Sequence, residues 1–439
     1  MVILTANSLI VYGVAHNFSS PRPPDQFPAP NHKSANKYGL ALARSIAKGQ
    51  ADGTYLVLEL PVAIRWKKLR FSPVGCVPKK GIDPAIESRL IHDLSHPGDS
   101  STNACSTKIY LPALVYESVC RLACRIESLA KPNPRHRVKL LKGDVKGAFR
   151  LIPVASDLAV HFSGSYENNL AVIDLALPFG WTGSPAHYGA FGGAVSCLLA
   201  RESPRSLDPG DLDDEPFFPF VWVDDHVLIE VDRGNRLQLA ETAPRLSMIA
   251  VLGPEAVTES KFSSWETELE ALGLLWNSKQ RTVLIPTSKV KKALKKIVEV
   301  VTTAQVSRQQ LEKLLGSLRY MSLCCRATRA YIQRLHSEWR QTRRFQKRRL
   351  SLEKRLDLQW IDSLLRHGAA NSVSTSIIAE TLEPVVHLFM DASDTGLVCY
   401  TQQYASISEY SSTKKNAKPP KPQRRRISIL ILAKHSVRF

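Results

Sequence analysis

The stretch FVWVDDHVLIE, Phe220–Glu230, decides how this chain is read. Its valines, isoleucine, tryptophan and phenylalanine are strand formers. Yet Asp224 and Asp225 stand side by side in the middle of it. A carboxylate inside an apolar run is costly unless it is paired or holds a metal. One reading puts the pair in a carboxylate cluster that binds a divalent cation. The plainer reading makes Asp224-Asp225 the tight turn of a hairpin, capped by Asx bonding. An isolated Asp-Asp pair does not choose between them.

Asp144 is the nearest help. It lies in LLKGDVKGAFRL, where an apolar approach, an Asp and an aromatic five positions on predict a strand end turning into another element. It is 80 positions before Asp224 (224 − 144), so the two meet only through the fold. If their strands are neighbours, Asp144, Asp224 and Asp225 form a set of hard oxygen ligands suited to Mg²⁺. Two such ions would lower the pKa of an attacking hydroxyl and stabilise the leaving pyrophosphate oxygens. Between the carboxylates, LALPFGWTGSPAHYGAFGGAV (Leu175–Val195) places Gly180, Gly183, Ser184 and Pro185 in a turn-rich lead-in to a helix. Glycines admit a ligand close to the backbone, and helix N-termini favour phosphate. The bland reading is a loop and a Gly/Ala-packed helix. Upstream, Lys79, Lys80 and Arg89 near Asp93 supply cations for a triphosphate, or else a solvated charged hairpin.

The bulk properties point the same way. The chain has 439 residues, enough for two or three domains, with 44% hydrophobic residues and a net charge of +19. That charge favours an acidic polymer, nucleic acid first, as partner. Of the eight cysteines, Cys120 and Cys124 lie one helical turn apart and no second pair has ligand spacing, which predicts reduced thiols in an intracellular protein. The opening MVILTANSLIVYGVAHNF lacks a basic n-region, and no apolar run reaches transmembrane length, so no membrane partner is expected.

Composition divides the chain. Residues 1–60 read as an N-terminal arm and linker, Pro-rich over Ser19–Lys33. Globular, mixed character begins at residue 34, with the first strand at TYLVLEL (residues 54–60), and residues 61–280 read as an α+β domain with a strand at LAVIDLAL and a helix through LPALVYESVCRLACRIESLA. Residues 281–350 carry 18 Lys/Arg against three Glu at helical apolar spacing, a basic helical bundle. Residues 351–400 hold one further helix and the strand-like PVVHLFMDASDTGLVCY. Residues 401–439 read as a disordered basic tail.

In this order, the motifs resemble a retroelement reverse transcriptase, especially of DIRS-type, tyrosine-recombinase retrotransposons. RLIHDLS is similar to the fingers strand, DVKGAF to the first palm carboxylate motif and LPFGWTGSP to the template- and nucleotide-facing motif. WVDD is similar to the catalytic hairpin. VTESKF and LEALGLLWNS resemble the later palm motif and the primer-gripping hairpin. LEKLLGSLRYMSLCCRATRAYIQRL and DLQW resemble the thumb and connecting segments, and FMDASDTG the opening strands of a ribonuclease H domain.

The resemblance implies an α+β right-hand polymerase: fingers, an antiparallel palm sheet with helices, and a helical thumb. It would be an RNA-directed DNA polymerase that transfers nucleotides from dNTPs to a primer on an RNA or DNA template, with two Mg²⁺ (or Mn²⁺) ions. Asp144, Asp224 and Asp225 would be the catalytic metal ligands. Lys79 or Lys80 with Arg89 would grip the triphosphate, Phe149 would gate the sugar, and Phe179 and Gly180 would face nucleotide and template. Lys261 would protonate the pyrophosphate. Gly183, Ser184, Trp276, Lys291, Lys292, Lys295 and Arg319 would contact the nucleic acid. Trp222 departs from the family's usual tyrosine, and Phe179 sits where retroviral members carry Gln. After Asp391 and Asp394 only Glu409 is acidic, so no ribonuclease H activity is expected. Two rivals remain: a decayed, nucleic-acid-binding remnant, and another palm-fold enzyme such as a nucleotide cyclase, which has no need of a basic helical domain.

Overall fold

The computed structural model describes residues 9–16, 18, 27–79, 81–166, 169–367 and 371–379, and the backbone of 388–392, 396–401 and 404–411. Two units result, 1–379 and 380–439. The first mixes helices with antiparallel sheets. Strands β1 (Tyr55–Glu59), β5 (Ser163–Tyr166) and β6 (Leu170–Asp174) form one sheet in the order β1-β6-β5, and β2 (Val74–Pro78) pairs with β3 (Ser88–His92). The central sheet is β4 (Val138–Asp144), β8 (Asp225–Val231) and β7 (Val221–Trp222), in the order β4-β8-β7. A further sheet joins β9 (Glu268–Ala271), β10 (Leu274–Asn277), β11 (Thr282–Leu284) and β14 (Val373–Ser374), and β12 (Val306–Ser307) pairs with β13 (Lys347–Arg348).

The strand β8 is apolar on both faces because both faces are covered. Val227, Leu228 and Ile229 are fully buried, as are Leu140 and Leu141 on β4. Helix α1 (Gly39–Ala51) packs on β1 and β3, whereas α2 (Cys120–Ala130), α3 (Ser184–Leu199) and α4 (Arg236–Leu252) pack around the central sheet. The basic region is helical: α5 (Thr287–Thr302), α6 (Arg308–Met321), α7 (Arg329–Gln341) and α8 (Leu352–Arg366). Its buried residues recur at helical spacing, Val290, Ala293, Ile297 and Val300 on α5, and Leu311, Leu314, Leu315 and Leu318 on α6. Ser307 and Gln310 form a capping box at the start of α6. These helices share one core with Val138, Leu140, Val227 and Ile229 of the central sheet.

Several expectations are corrected. The predicted helix over residues 111–130 begins only at Cys120. Residues 111–118 form a non-helical strap, with Leu114, Val115 and Tyr116 exposed. Pro112 brings no donor, and the Ser118 hydroxyl accepts from the Cys120 N–H, fixing the start there. Residues 1–60 are more than an arm, for α1 and β1 belong to the fold and Val14 is fully buried. The Pro-rich residues 19–26 lie outside the described residues. In the second unit, β15 (Leu388–Ala392), β16 (Gly396–Thr401) and β17 (Tyr404–Ser411) form an antiparallel sheet, so the segment read as a tail contributes a strand. The Asp391, Asp394 and Glu409 side chains, and residues 412–439, lie outside the described residues. Among the described residues no helix is long and apolar enough to cross a membrane.

Trp276, placed against nucleic acid by the sequence, is instead core. It is fully buried on β10, and its indole N–H donates to the Ala271 carbonyl at 3.2 Å. Truncation to alanine should cost about 3–5 kcal/mol in chemical unfolding. Trp276→Phe, which keeps the fold, should leave duplex affinity unchanged. A folded Phe variant with weakened binding would return Trp276 to the contact surface.

Candidate active site

The geometry starts from a register. Val221 pairs with His226 and Trp222 with Asp225, which leaves Val223 and Asp224 as a two-residue loop. Val223 has φ +56°, an uncommon left-handed position for a β-branched residue. On the other edge of β8, Asp144 pairs with Asp225, and the Val145 N–H donates to the Asp224 carbonyl at 3.1 Å. The acidic pair is therefore a hairpin turn, and the turn sets Asp224 against Asp144.

Burial raises the Asp224 carboxyl pKa above the usual aspartate range, and the Asp144 charge raises it further; Asp225 adds to this and Lys261 opposes it. Asp144 Oδ2 accepts from Lys261 Nζ at 2.5 Å, while its Oδ1 is buried without a partner. Asp225 Oδ1 is 2.9 Å from Lys142 Nζ. Among the described residues no group of three acidic, histidine or cysteine side chains is gathered closely enough to hold a metal ion. The arrangement fits a cation held by two carboxylates, Asp144 and Asp224, for it would meet the orphaned oxygen and relieve their repulsion. Asp225, the expected third member, is paired with Lys142 as Asp144 is with Lys261.

A line of rings leads away from the carboxylates. Tyr188 on α3 is fully buried, its hydroxyl has no partner, and burial with the Asp224 and Asp144 charges pushes its pKa up. Phe149 packs 5.7 Å from Tyr188 and 5.4 Å from Phe179, and the Arg89 guanidinium lies 5.7 Å from the Phe179 ring. Phe149 sits on a short 3₁₀ turn held by its neighbour: Arg150 binds the buried Asp174 of β6 and donates to the Thr54 carbonyl at 3.0 Å. Gly180 has φ +115°, and a Cβ there would lie 2.3 Å from the His92 carbonyl oxygen, so only glycine fits. Asn103 holds that loop from both sides, donating to the Gly180 carbonyl at 2.8 Å and accepting from the Thr182 N–H at 2.9 Å.

Not every expected residue reaches this surface. Gly183 and Ser184 are buried, and the Ser184 hydroxyl donates to the Pro178 carbonyl at 2.8 Å. Both residues shape the loop. Lys79 is paired with Glu87, and Lys80 lies outside the described residues. Lys291, Lys292, Lys295 and Arg319 are exposed. Sequence reading missed Tyr188, Asn103 and the Arg150–Asp174 pair. It also missed the N-terminal segment, whose His16 Nε2 is 2.8 Å from the Ser106 hydroxyl that accepts from the Trp181 indole at 3.3 Å.

With this geometry in hand, comparison with solved structures decides the fold. The chain is similar to a foamy viral protease-reverse transcriptase in complex with double-stranded DNA, at 15% identity and TM-score 0.54, covering 91% of this chain and 60% of that one. The fold is reverse-transcriptase-like. A foamy viral protease-reverse transcriptase with an RNA/DNA hybrid matches at 15% identity and TM-score 0.53, covering 91% of this chain and 46% of that one. A third, with double-stranded DNA, matches at 16% identity and TM-score 0.53, covering 91% and 71%. The chain thus spans less than two thirds of the first two. No protein-family model and no curated protein matches it.

The raised Asp224 pKa has a stability consequence. The folded chain holds that proton more tightly than the unfolded chain, whose aspartate titrates near 3.8. The charged form therefore costs stability that grows as pH rises from the unfolded value of 3.8 through the raised folded pKa. In metal-free buffer Asp224→Asn should melt above the wild type at pH 7, with the gap closing toward pH 4. An Asn variant that melts lower throughout would show that no such repulsion exists.

Proposed function

We propose that this chain is an RNA-directed DNA polymerase of a DIRS-type retrotransposon, copying a template by transferring nucleotides from dNTPs to a primer 3′-hydroxyl. The observation that carries the reading is the meeting of Asp144 and Asp224 at a strained hairpin tip, with a buried Asp144 oxygen left unpartnered. In this reading the β4-β8-β7 sheet is the palm, the preceding sheets the fingers, and residues 281–350 the thumb. Asp144 and Asp224 would hold divalent cations, Mg²⁺ or Mn²⁺, which when bound lower the pKa of the primer hydroxyl and neutralise phosphate charge.

The remaining work falls to the chain's own side chains. Arg89 grips the triphosphate together with Lys80, or with Lys79 once it leaves Glu87. The Phe149 ring lies under the sugar, and the Phe179–Gly180 loop faces the base. Lys261 leaves Asp144 to hand a proton to the departing pyrophosphate. The exposed lysines of α5 track the duplex backbone without regard to sequence, and salt weakens that attraction. Double-stranded DNA and an RNA/DNA hybrid are what the similar structures hold.

One observation favours the decayed, binding-only reading: Lys261 and Lys142 already neutralise Asp144 and Asp225. Primer extension on poly(rA)/oligo(dT) with Mg²⁺ or Mn²⁺ separates the two. The wild type should extend and Asp224→Asn should not. Salt-sensitive binding without extension would leave the remnant standing.

Phe149 makes the sugar preference testable. Its ring is held between Phe179 and Tyr188, and under a bound sugar it would leave a 2′-hydroxyl no room and no hydrogen-bond partner. Phe149→Val should raise the ratio of ribonucleotide to deoxynucleotide incorporation by at least about tenfold, near 1.4 kcal/mol, with little change in melting temperature. An active variant with the parent's preference would make Phe149 packing alone.

A further inference from the structure

Beside the hairpin a cleft of about 400 Å³ opens between α3, the turn residues Val221 and Val223, and the Ala113–Glu117 strap. Its floor is flat because α3 presents Gly189, Gly192 and Gly193 there. At Gly192 a Cβ would stand 3.6 Å from Val221 and Val223, ordinary contact, so packing does not demand glycine and its absence of side chain leaves space open.

Three buried polar atoms on the lining residues have no partner: the Tyr188 hydroxyl, the Ser196 hydroxyl and Glu117 Oε2. A ligand in the cleft would supply these groups with partners. Glu117 is oriented for this. Its Oε1 is 2.5 Å from the Arg121 guanidinium, and its buried Oε2 is the carboxylate oxygen without a partner. Burial pushes the Glu117 carboxyl pKa up, against the pull of Arg121, so a donor from a ligand would relieve it. At the mouth, Tyr116 and Trp222 stack at 4.6 Å and 25°, an exposed aromatic platform.

We propose that this cleft takes one unpaired nucleobase bearing an exocyclic amino group, with the ring on the glycine floor and the amine donating to Glu117. Cytosine, adenine and guanine carry that amine, whereas thymine and uracil do not. The proposal rests on the nucleic-acid polymerase reading and deepens it, naming a base-selective pocket next to the carboxylates. The base arrives on a single strand or as a free nucleotide.

The test measures binding of the full chain to short oligodeoxycytidine and oligodeoxythymidine by fluorescence anisotropy. Glu117→Leu removes the acceptor and Gly192→Leu fills the floor. Each should weaken oligodeoxycytidine binding about tenfold, the scale of a hydrogen bond to a charged group, and shift oligodeoxythymidine binding less than about twofold. Either variant decides the matter once a cooperative melting transition shows it folded. Competition by dCMP points to a free nucleotide, and competition by the oligomer alone to a strand; both support the pocket. Equal losses for the two oligomers, or no loss, overturn it. Primer extension by the wild type keeps the two claims apart. A chain that extends primers while both variants bind like wild type sinks the pocket and leaves the polymerase reading intact. Selective loss in a chain that extends nothing does the reverse.

Discussion

The Val223–Asp224 loop presses one carboxylate toward another at the edge of a buried sheet, and the rest of the site is arranged around that unfavourable contact. Left-handed backbone at a β-branched residue costs on the order of 1–3 kcal/mol, and like charges in a half-buried setting add to it. The sheet beneath absorbs the cost. β8 is paired along its whole length with β4, and Val227, Leu228 and Ile229 are fully enclosed. Lys261 and Lys142 blunt the charge from the sides. A turn that is strained, acidic and anchored on a rigid strand is one that a bound cation would stabilise.

That anchoring extends into the basic helices. Because α5 and α6 share a core with the central sheet through Trp276 and the strands around it, they are continuous with the sheet's packing. Their lysines present an exposed, charged face on a layer that the same hydrophobic core fixes relative to the carboxylates. Cutting the chain near residue 280 would expose that core, so point substitutions probe the charge better than a deletion does.

How much of this was legible depended on whether the signal was local. The two strands bearing Asp144 and Asp225 announce themselves by composition, and α5 and α6 by apolar spacing. Gly180 was legible as a special backbone position because a glycine beside a proline-led loop has few other uses. What stayed hidden were choices made by distant partners. An aromatic in a strand reads alike in core and on surface, which misplaced Trp276. Ser184 looked like a ligand donor until its hydroxyl turned inward to Pro178. Asn103 meets Gly180 across 77 positions and Arg150 meets Asp174 across 24, and no spacing rule links either pair. The strap at residues 111–118 carries a helix-like composition, and only its exposure shows that it lines a cleft instead.

The central claim is that the hairpin turn and the end of β4 make a cation site from Asp144 and Asp224. Titration of the metal-free chain with Mn²⁺, followed by loss of the free-ion electron paramagnetic resonance signal, tests it without requiring catalysis. The wild type should bind, Asp144→Asn and Asp224→Asn should each lose that binding, and Asp225→Asn should largely keep it. Wild-type Mn²⁺ affinity in either of the first two variants would contradict the account.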